Sequence, residues 1–153
     1  RVTGDAILCD EQMLSKAISS HLRTNSDVTF IKNMPYGTAK EVISTRVLKI
    51  INDKSINKSD TEYLEFFLEN KKNFKINYIK SNYKFNKDIR LTLDFPQDRV
   101  LFDKIYRHFN DKQSNFSLKD VLKFLELKPK LIQINSFLKP KFDKRQINTE
   151  LSI

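Results

Sequence analysis

The sequence has few of the residue types that characterise several protein classes. Its 153 residues include one cysteine, two glycines, four prolines and no tryptophan. Cys9 has no second cysteine to pair with and lies in no Cys/His spacing, which excludes an internal disulfide and a zinc-binding motif. The two glycines, Gly4 and Gly37, are far apart, so a glycine-rich phosphate-binding loop is excluded as well.

Long hydrophobic runs are also absent. The chain contains no stretch of roughly 18 apolar residues, which predicts that nothing in it spans a membrane. It opens at Arg1 without a basic leader and an apolar segment, and we therefore expect no signal peptide. Together with the single cysteine, these features predict a reducing, cytoplasmic location. The start at Arg1 further predicts that the chain has been cut from a longer protein.

The composition and charge indicate a folded domain that does not bind nucleic acid. Hydrophobic residues make up 39% of the chain and aromatic residues 11%, enough for the core of one ordinary domain. The formal net charge is +9, but the lysines are spread along the chain, and arginine, which base-reading proteins favour, is the minor cation. The one local excess, a net +4 over residues 128–153, is interpreted as a solvated tail in preference to a phosphate-binding arm.

The spacing of the apolar residues predicts helices that alternate with strands. Helices are predicted over residues 10–24, from Ser44 or Thr45, over 61–70, from Pro96 to Phe109, and over 118–127. Strands are predicted over residues 1–3, 28–31, 41–43, 74–79 and 90–93, with a polar loop at 54–60. This alternation indicates an α/β layer with a partly parallel sheet. We expect a domain portion over residues 1–127 and a basic extension over 128–153.

Two aspartates are the best candidates for chemistry. Asp5 and Asp94 each follow a predicted strand, at the edge where open α/β sheets place their ligands. A pair of carboxylates suits Mg²⁺, which binds one or two of them together with water and substrate phosphates. The alternative for each is a turn or capping aspartate, although Asp94 stands one residue before the expected helix cap, Phe95. Asp98, at the third helical position, is assigned a structural role at the helix N-terminus.

Five short motifs stand in a characteristic order along the chain. They are Arg1-Val2-Thr3-Gly4-Asp5, then Asp10 before a helix, then Pro35-Tyr36-Gly37-Thr38 with Glu41-Val42-Ile43, then Asp60-Thr61-Glu62-Tyr63, and finally Arg90-Leu91-Thr92-Leu93-Asp94-Phe95-Pro96-Gln97-Asp98. In order and spacing, from Arg1 to about Leu127, the chain resembles the cytidylyltransferases, which include the CMP-sugar-acid synthetases and homologues of spore-coat polysaccharide biosynthesis. The last 26 residues, 128–153, lie outside the resemblance.

The resemblance implies a nucleotide-diphospho-sugar-transferase-like, Rossmann-type fold with a mixed sheet, of which this chain carries the distal part. It implies transfer of CMP from CTP to a sugar or sugar acid, with release of pyrophosphate, for surface polysaccharide or glycan biosynthesis. The resemblance also implies that Asp5 and Asp94 hold Mg²⁺. These are the two aspartates already chosen above because each follows a predicted strand. The residues that carry over to the substrate site are Pro35, Gly37, Thr38, Glu41, Glu62 and Tyr63; no catalytic residue is assigned.

Two other hypotheses stay open beside the enzyme. Ala6, Ile7, Tyr63 and Phe95 stand where many members of the family have other residues, and the changes at Ala6, Ile7 and Tyr63 keep a degenerate, non-catalytic relative as an alternative. A basic binding module is the third hypothesis, and the spread of the lysines speaks against it. The family's first strand and its basic CTP-binding loop would precede Arg1. We therefore expect the parent protein to be active and this chain alone to be inactive, and we consider a homodimer among the parent's partners.

Overall fold

The structure, a computed structural model, describes residues 1–54, 64–68, 74–110 and 115–138. The described residues form helices with three strands between them. They are α1 (Glu11–Thr24), β1 (Val28–Lys32), β2 (Val42–Ile43), α2 (Thr45–Lys54), α3 (Leu64–Leu68), β3 (Ile76–Lys80), α4 (Pro96–Asn110), α5 (Leu118–Leu127) and two 3₁₀ helices, Pro129–Ile134 and Ser136–Leu138. Residues 55–60 of the predicted polar loop lie outside the described part. Among the helices of the described part, none combines the length and apolar character needed to cross a bilayer.

The sheet is mixed and has β1 at its centre. β1 pairs in antiparallel fashion with β2 and in parallel with β3, in a register that runs from Val28 opposite Ile76 to Lys32 opposite Lys80. The first two residues of β1, Val28 and Thr29, are β-branched and fully buried, as strands covered by helices require. The predicted α/β layer with a partly parallel sheet is therefore confirmed.

Local capping residues explain where two of the predicted helices begin. Asp10 precedes α1, and its Oδ1 accepts a hydrogen bond from the Met13 N–H at 2.9 Å. Ser117 and Asp120 form a capping box at the start of α5, with each side chain accepting from the other residue's backbone N–H. The helices predicted over 10–24 and 118–127 are confirmed, and α4 begins at Pro96 as expected.

The core of the described part consists of three hydrophobic clusters. The largest joins α4, α5 and the first 3₁₀ helix to the segment that contains Ile89 and Leu91. The second packs α2 and α3 against Val28 of β1. The third places Met13 and Ala17 of α1 against Ile31. Each helix thus covers the sheet or a neighbouring segment with its apolar face.

Two predicted strands are not regular strands in the structure. Residues 1–3 are irregular and lead into a turn in which the Ala6 N–H donates to the Thr3 carbonyl at 3.1 Å. In the segment 90–93, only Arg90 forms a β-bridge, in parallel with Tyr36, while the Leu93 N–H donates to the Asp5 carbonyl at 3.1 Å. A strand requires a ladder of successive paired residues, and here the segment 90–93 meets two different loops at single points.

The interpretation of residues 128–153 as a solvated tail is wrong for the part that the structure describes. The two 3₁₀ helices bury Ile132, Asn135 and Leu138, and Ile132 belongs to the largest hydrophobic cluster. Charge counting missed this because Leu131, Ile132 and Ile134 are interleaved with polar residues, and a 3₁₀ turn can direct such residues inward. Residues 139–153 lie outside the described part.

Candidate functional site

The segment 90–98 is built around one buried carboxylate. Asp98 is fully buried and accepts from the Asp94 N–H and the Phe95 N–H, each at 3.0 Å, which caps the start of α4. Its other partners are the Arg90 guanidinium, at 3.0 and 3.1 Å, and the Asn135 side-chain amide at 2.8 Å. The structural role predicted for Asp98 therefore extends beyond the helix terminus, because the same carboxylate also holds Arg90 and Asn135.

Arg90 contacts the aspartates of this segment and also Tyr36, which lies in the turn at residues 35–38. Its guanidinium is bidentate to Asp98 and also donates to Asp94 Oδ2 at 2.5 Å. The same group lies 5.2 Å from the centre of the Tyr36 ring and 5.4 Å from that of Phe95, which is the geometry of a cation–π contact. Arg90 is fully buried, so its charge depends on these partners for compensation.

Asp94 and Asp5 are attached to adjoining pieces of backbone. The hydrogen bond from the Leu93 N–H to the Asp5 carbonyl joins the residue before Asp94 directly to Asp5. Thr92 is buried on the same segment, and its hydroxyl donates to Asp5 Oδ2 at 3.0 Å. The structure therefore brings the loops that carry the two aspartates together. That both carboxylates bind one metal ion stays a prediction.

The electrostatic surroundings favour ionised carboxylates in this segment. Burial raises the pKa of Asp5, but hydrogen bonds from Thr3 and Thr92 and the charge of Lys40 outweigh it and leave the pKa below its usual value. Burial likewise raises the pKa of Asp98. The hydrogen bonds that it accepts from Arg90 and Asn135 have the larger effect, so the pKa of Asp98 lies below its usual value. Both groups are therefore anionic at neutral pH.

The turn at Pro35–Thr38 forms the second part of the site. Gly37 has φ +89°, and a Cβ at this position would stand 2.5 Å from the Leu91 carbonyl oxygen and 2.7 Å from Thr92 Cβ. Only glycine fits both the dihedral angle and the close approach. The buried Thr38 hydroxyl donates to the Pro35 carbonyl at 2.8 Å, and the Tyr36 carbonyl accepts from the Leu91 N–H at 2.8 Å. The turn is thus fixed against the segment that leads to Asp94.

The remaining predicted substrate residues are placed differently. Glu41 is half-buried just before β2, next to Lys40, whose ammonium donates to the Thr3 hydroxyl at 3.3 Å. Glu62 and Tyr63 lie outside the described residues. The structure therefore joins Pro35, Gly37 and Thr38 to the aspartate segment, and the substrate roles of all six residues stay predictions.

The chemistry of the aspartate pair fits Mg²⁺, which prefers carboxylate oxygens. Asp5 is anionic, and Asp94 is partly exposed, so a ligand can reach it. The described residues contain no group of three or more His, Cys, Asp or Glu side chains that could hold a metal ion by themselves. A pair of carboxylates is enough for Mg²⁺ only when water and substrate oxygens complete the coordination.

Sequence reasoning missed three residues of this site. Arg90 and Thr92 lie inside the recognised motif, but nothing local indicates that their side chains face Asp98 and Asp5. Asn135 lies 37 residues beyond Asp98, and it donates to the Arg90 carbonyl at 3.1 Å as well as to Asp98. A single asparagine within a basic segment carries no pattern that periodicity or spacing could detect.

The architecture of the described part is a mixed sheet with helices packed against it. No protein-family profile matches the chain. A solved cytidylyltransferase from Leptospira borgpetersenii superposes with a TM-score of 0.73 at 18% sequence identity, over 99% of this chain and 59% of that one. This chain therefore has the fold of a cytidylyltransferase, and the resemblance indicated by its motifs is confirmed at the level of the fold.

Two curated relatives are similar in sequence. An uncharacterized protein of Methanocaldococcus jannaschii is 28% identical over 143 residues, which cover 92% of this chain and 58% of that protein. The spore coat polysaccharide biosynthesis protein SpsF of Bacillus subtilis is 24% identical over 115 residues, which cover 73% of this chain and 48% of SpsF. The chain thus spans about half the length of the curated relatives it matches.

Proposed function

We propose that the protein containing this chain is a cytidylyltransferase. It transfers CMP from CTP to a sugar or sugar acid, with release of pyrophosphate, in the biosynthesis of a surface polysaccharide or glycan. The proposal is supported by the fold shared with a cytidylyltransferase and by the sequence similarity to a spore coat polysaccharide biosynthesis protein. Since the chain covers only part of these proteins, the proposal concerns the full-length polypeptide.

The observation that carries the proposal is the junction of Asp5 with the Asp94 segment. The two aspartates are 89 residues apart in the sequence, and a backbone hydrogen bond of 3.1 Å joins their loops. A pair of carboxylates in such a place would serve nucleotidyl transfer by holding Mg²⁺, which neutralises the charge that builds up on the α-phosphate. Asp5 and Asp94 are the residues proposed to hold it.

The neighbouring side chains have supporting roles in this proposal. Thr92 donates to Asp5 and limits the rotation of its carboxylate, while Arg90 does the same for Asp94. Asp98 and Asn135 in turn fix Arg90 and its backbone, so the orientation of Asp94 depends on a buried network. The turn residues Pro35, Gly37 and Thr38, with Glu41, Glu62 and Tyr63, are proposed to bind substrate, as the family resemblance implies.

A degenerate, non-catalytic relative is the second candidate, and one contact favours it. The Arg90 guanidinium lies 2.5 Å from Asp94 Oδ2, so a carboxylate oxygen that a metal ion would use is already paired with a cation. In the catalytic protein this contact must be compatible with metal binding through the other oxygen. In the degenerate protein it would replace the metal altogether.

Pyrophosphate release from CTP distinguishes the two candidates. The full-length polypeptide, incubated with Mg²⁺, CTP and a panel of sugars and sugar acids, should release pyrophosphate, and Asp94→Asn should lower turnover by at least about 100-fold. Asp103→Asn, which alters an exposed carboxylate on α4, is the matched control and should leave turnover unchanged. Absence of pyrophosphate release from a folded, full-length polypeptide would favour the degenerate relative. We expect the 153-residue chain alone to be inactive.

A further inference from the structure

A groove of about 840 Å³ runs between α1 and the end of β3. One wall is formed by α1 from Gln12 to Arg23, a length of about 17 Å at the helical rise. The opposite wall is residues 79–83, and Lys119 of α5 contributes at the edge. We call this feature the α1–β3 groove. None of its lining residues belongs to the aspartate segment 90–98 or to the turn at 35–38.

The charges along the groove have one sign. Four cationic residues line it, namely Lys16, Arg23, Lys80 and Lys119, and no aspartate or glutamate among the described residues does. None of these four cations forms a salt bridge with a described carboxylate. They come from three separate elements, so the fold, and not the local sequence, brings these like charges to one groove. A bound anion would relieve this repulsion.

Hydroxyl groups on fixed backbone lie between these cations. Ser20 and Ser81 are buried in the walls, and Ser20 Oγ accepts from the Asn77 amide at 2.9 Å. Ser15 and Ser19 are exposed on α1, and Ser81 Oγ donates to the Asn33 carbonyl. The walls are therefore held in place before any ligand binds, which lowers the cost of ordering side chains on binding.

The shape and lining select among anionic partners. The volume lies within the range of small-molecule sites, about 300–1,000 Å³. Single-stranded nucleic acids bind along rows of aromatic side chains. Among the described residues that line the groove, Tyr83 alone is aromatic, and its hydroxyl donates to Asp10 at 2.5 Å. Cations distributed along the groove match several negative groups on one molecule better than a single one.

We propose that the α1–β3 groove binds a small polyanion, a molecule that carries at least two phosphoryl or carboxylate groups. Lys16 and Arg23 attract it from α1, Lys80 from the end of β3, and Lys119 from α5. The Ser15 and Ser20 hydroxyls donate hydrogen bonds to the oxygens between the charged groups, whereas those of Ser19 and Ser81 donate to the Ser15 and Asn33 carbonyls and hold the walls. This binding site is independent of the proposed transfer reaction and stands whether or not the protein is catalytic.

Calorimetric titration of the chain with inorganic pyrophosphate and, separately, with citrate tests the groove. Metal ions are removed from the chain and the buffers beforehand on a chelating resin, so metal-dependent binding at Asp5 and Asp94 cannot contribute. We expect at least one of the two anions to bind, and the double variant Lys16→Ala with Lys119→Ala to weaken its binding by at least about 5-fold. The preferred anion then identifies phosphoryl or carboxylate groups as the better ligand.

A second double variant controls for general charge attraction. Lys49→Ala with Lys104→Ala removes two exposed lysines of α2 and α4 that do not line the groove, and gives the same net charge. It should weaken binding by less than about 2-fold, because distant exposed charges are screened. Equal weakening in both double variants overturns the proposal, and so does the absence of binding of either anion at millimolar concentration. Thermal melting of both variants verifies that they fold.

Discussion

The two parts of the candidate site are held together by different forces. The aspartate segment 90–98 depends on buried charges, because Arg90 and Asp98 are both fully buried and compensate each other. The turn at Pro35–Thr38 depends on backbone geometry, since Gly37 lets the chain pass within contact distance of Leu91 and Thr92. Charge pairing sets the direction of a carboxylate, whereas the glycine contact sets the spacing between the two parts. Substitutions can disturb each force separately.

Among single substitutions, the largest effect is expected from Arg90→Met. This change leaves Asp98 as an uncompensated buried charge, and breaking such a pair costs about 3–5 kcal/mol. Urea denaturation measures the free energy of unfolding. The control, Arg46→Met, removes an exposed ion pair with Asp27 and should cost about 0–1 kcal/mol. Similar losses in the two variants would show that the buried network contributes no more than a surface pair.

Gly37→Ala tests the part of the site that depends on backbone geometry. The added methyl group would meet the Leu91 carbonyl and must adopt an unfavourable φ, so we expect a loss of about 2–3 kcal/mol in the free energy of unfolding. Gly4→Ala is the matched control, since a Cβ there has no atom within 4 Å. Its effect should stay within about 0.5 kcal/mol. A tolerated Gly37→Ala would mean that the two parts are not in contact as described.

Acid should weaken the aspartate segment. Because the pKa of Asp98 is lowered in the folded state, its stabilisation is complete above its unfolded value of about 3.9 and is lost as the pH falls through the lower folded value. The free energy of unfolding should therefore decrease between about pH 5 and pH 2. In Asp98→Asn this decrease should be smaller. Parallel curves for the two proteins would contradict the assigned role.

The smallest effect is expected at the end of the chain. Residues 139–153 contain few apolar side chains, so their removal should change the free energy of unfolding by less than about 0.5 kcal/mol. A loss above about 2 kcal/mol would show that they dock. Truncation after Leu127 provides the comparison. It deletes the buried Ile132, Asn135 and Leu138 and should abolish the cooperative unfolding transition.

Local pattern predicted the helices better than the strands. Asp10, Ser117 and Pro96 mark the starts of three helices because capping acts within about four residues of the chain. The segments 1–3 and 90–93 have strand-like residues as well, yet neither forms a strand. Strand formation depends on a partner that is distant in sequence, and no local pattern reports whether that partner is present.

The candidate site was predictable only in part. Asp5 and Asp94 could be selected because each follows a segment that was predicted as a strand; neither segment forms a regular strand, yet the structure brings the two loops together. Their shared metal ion stays a prediction. Asn135 and the buried state of Arg90 could not be predicted, because a polar residue is buried only when distant groups satisfy its hydrogen bonds.

The amino-acid sequence alone determined the order of the helices, the capping residues, the α/β class and the motifs that resemble cytidylyltransferases. The helices, their caps and the α/β class follow from periodicity and from hydrogen bonds between near neighbours in the chain, whereas the resemblance rests on the order and spacing of the motifs. Only the tertiary structure decided that Arg90, Asp98 and Asn135 form one buried network, and that Lys16, Lys80 and Lys119 face one groove. The physical reason is that electrostatic energy depends on how far apart two polar groups lie in space and on how deeply they are buried. For residues that are distant in sequence, folding alone fixes both quantities.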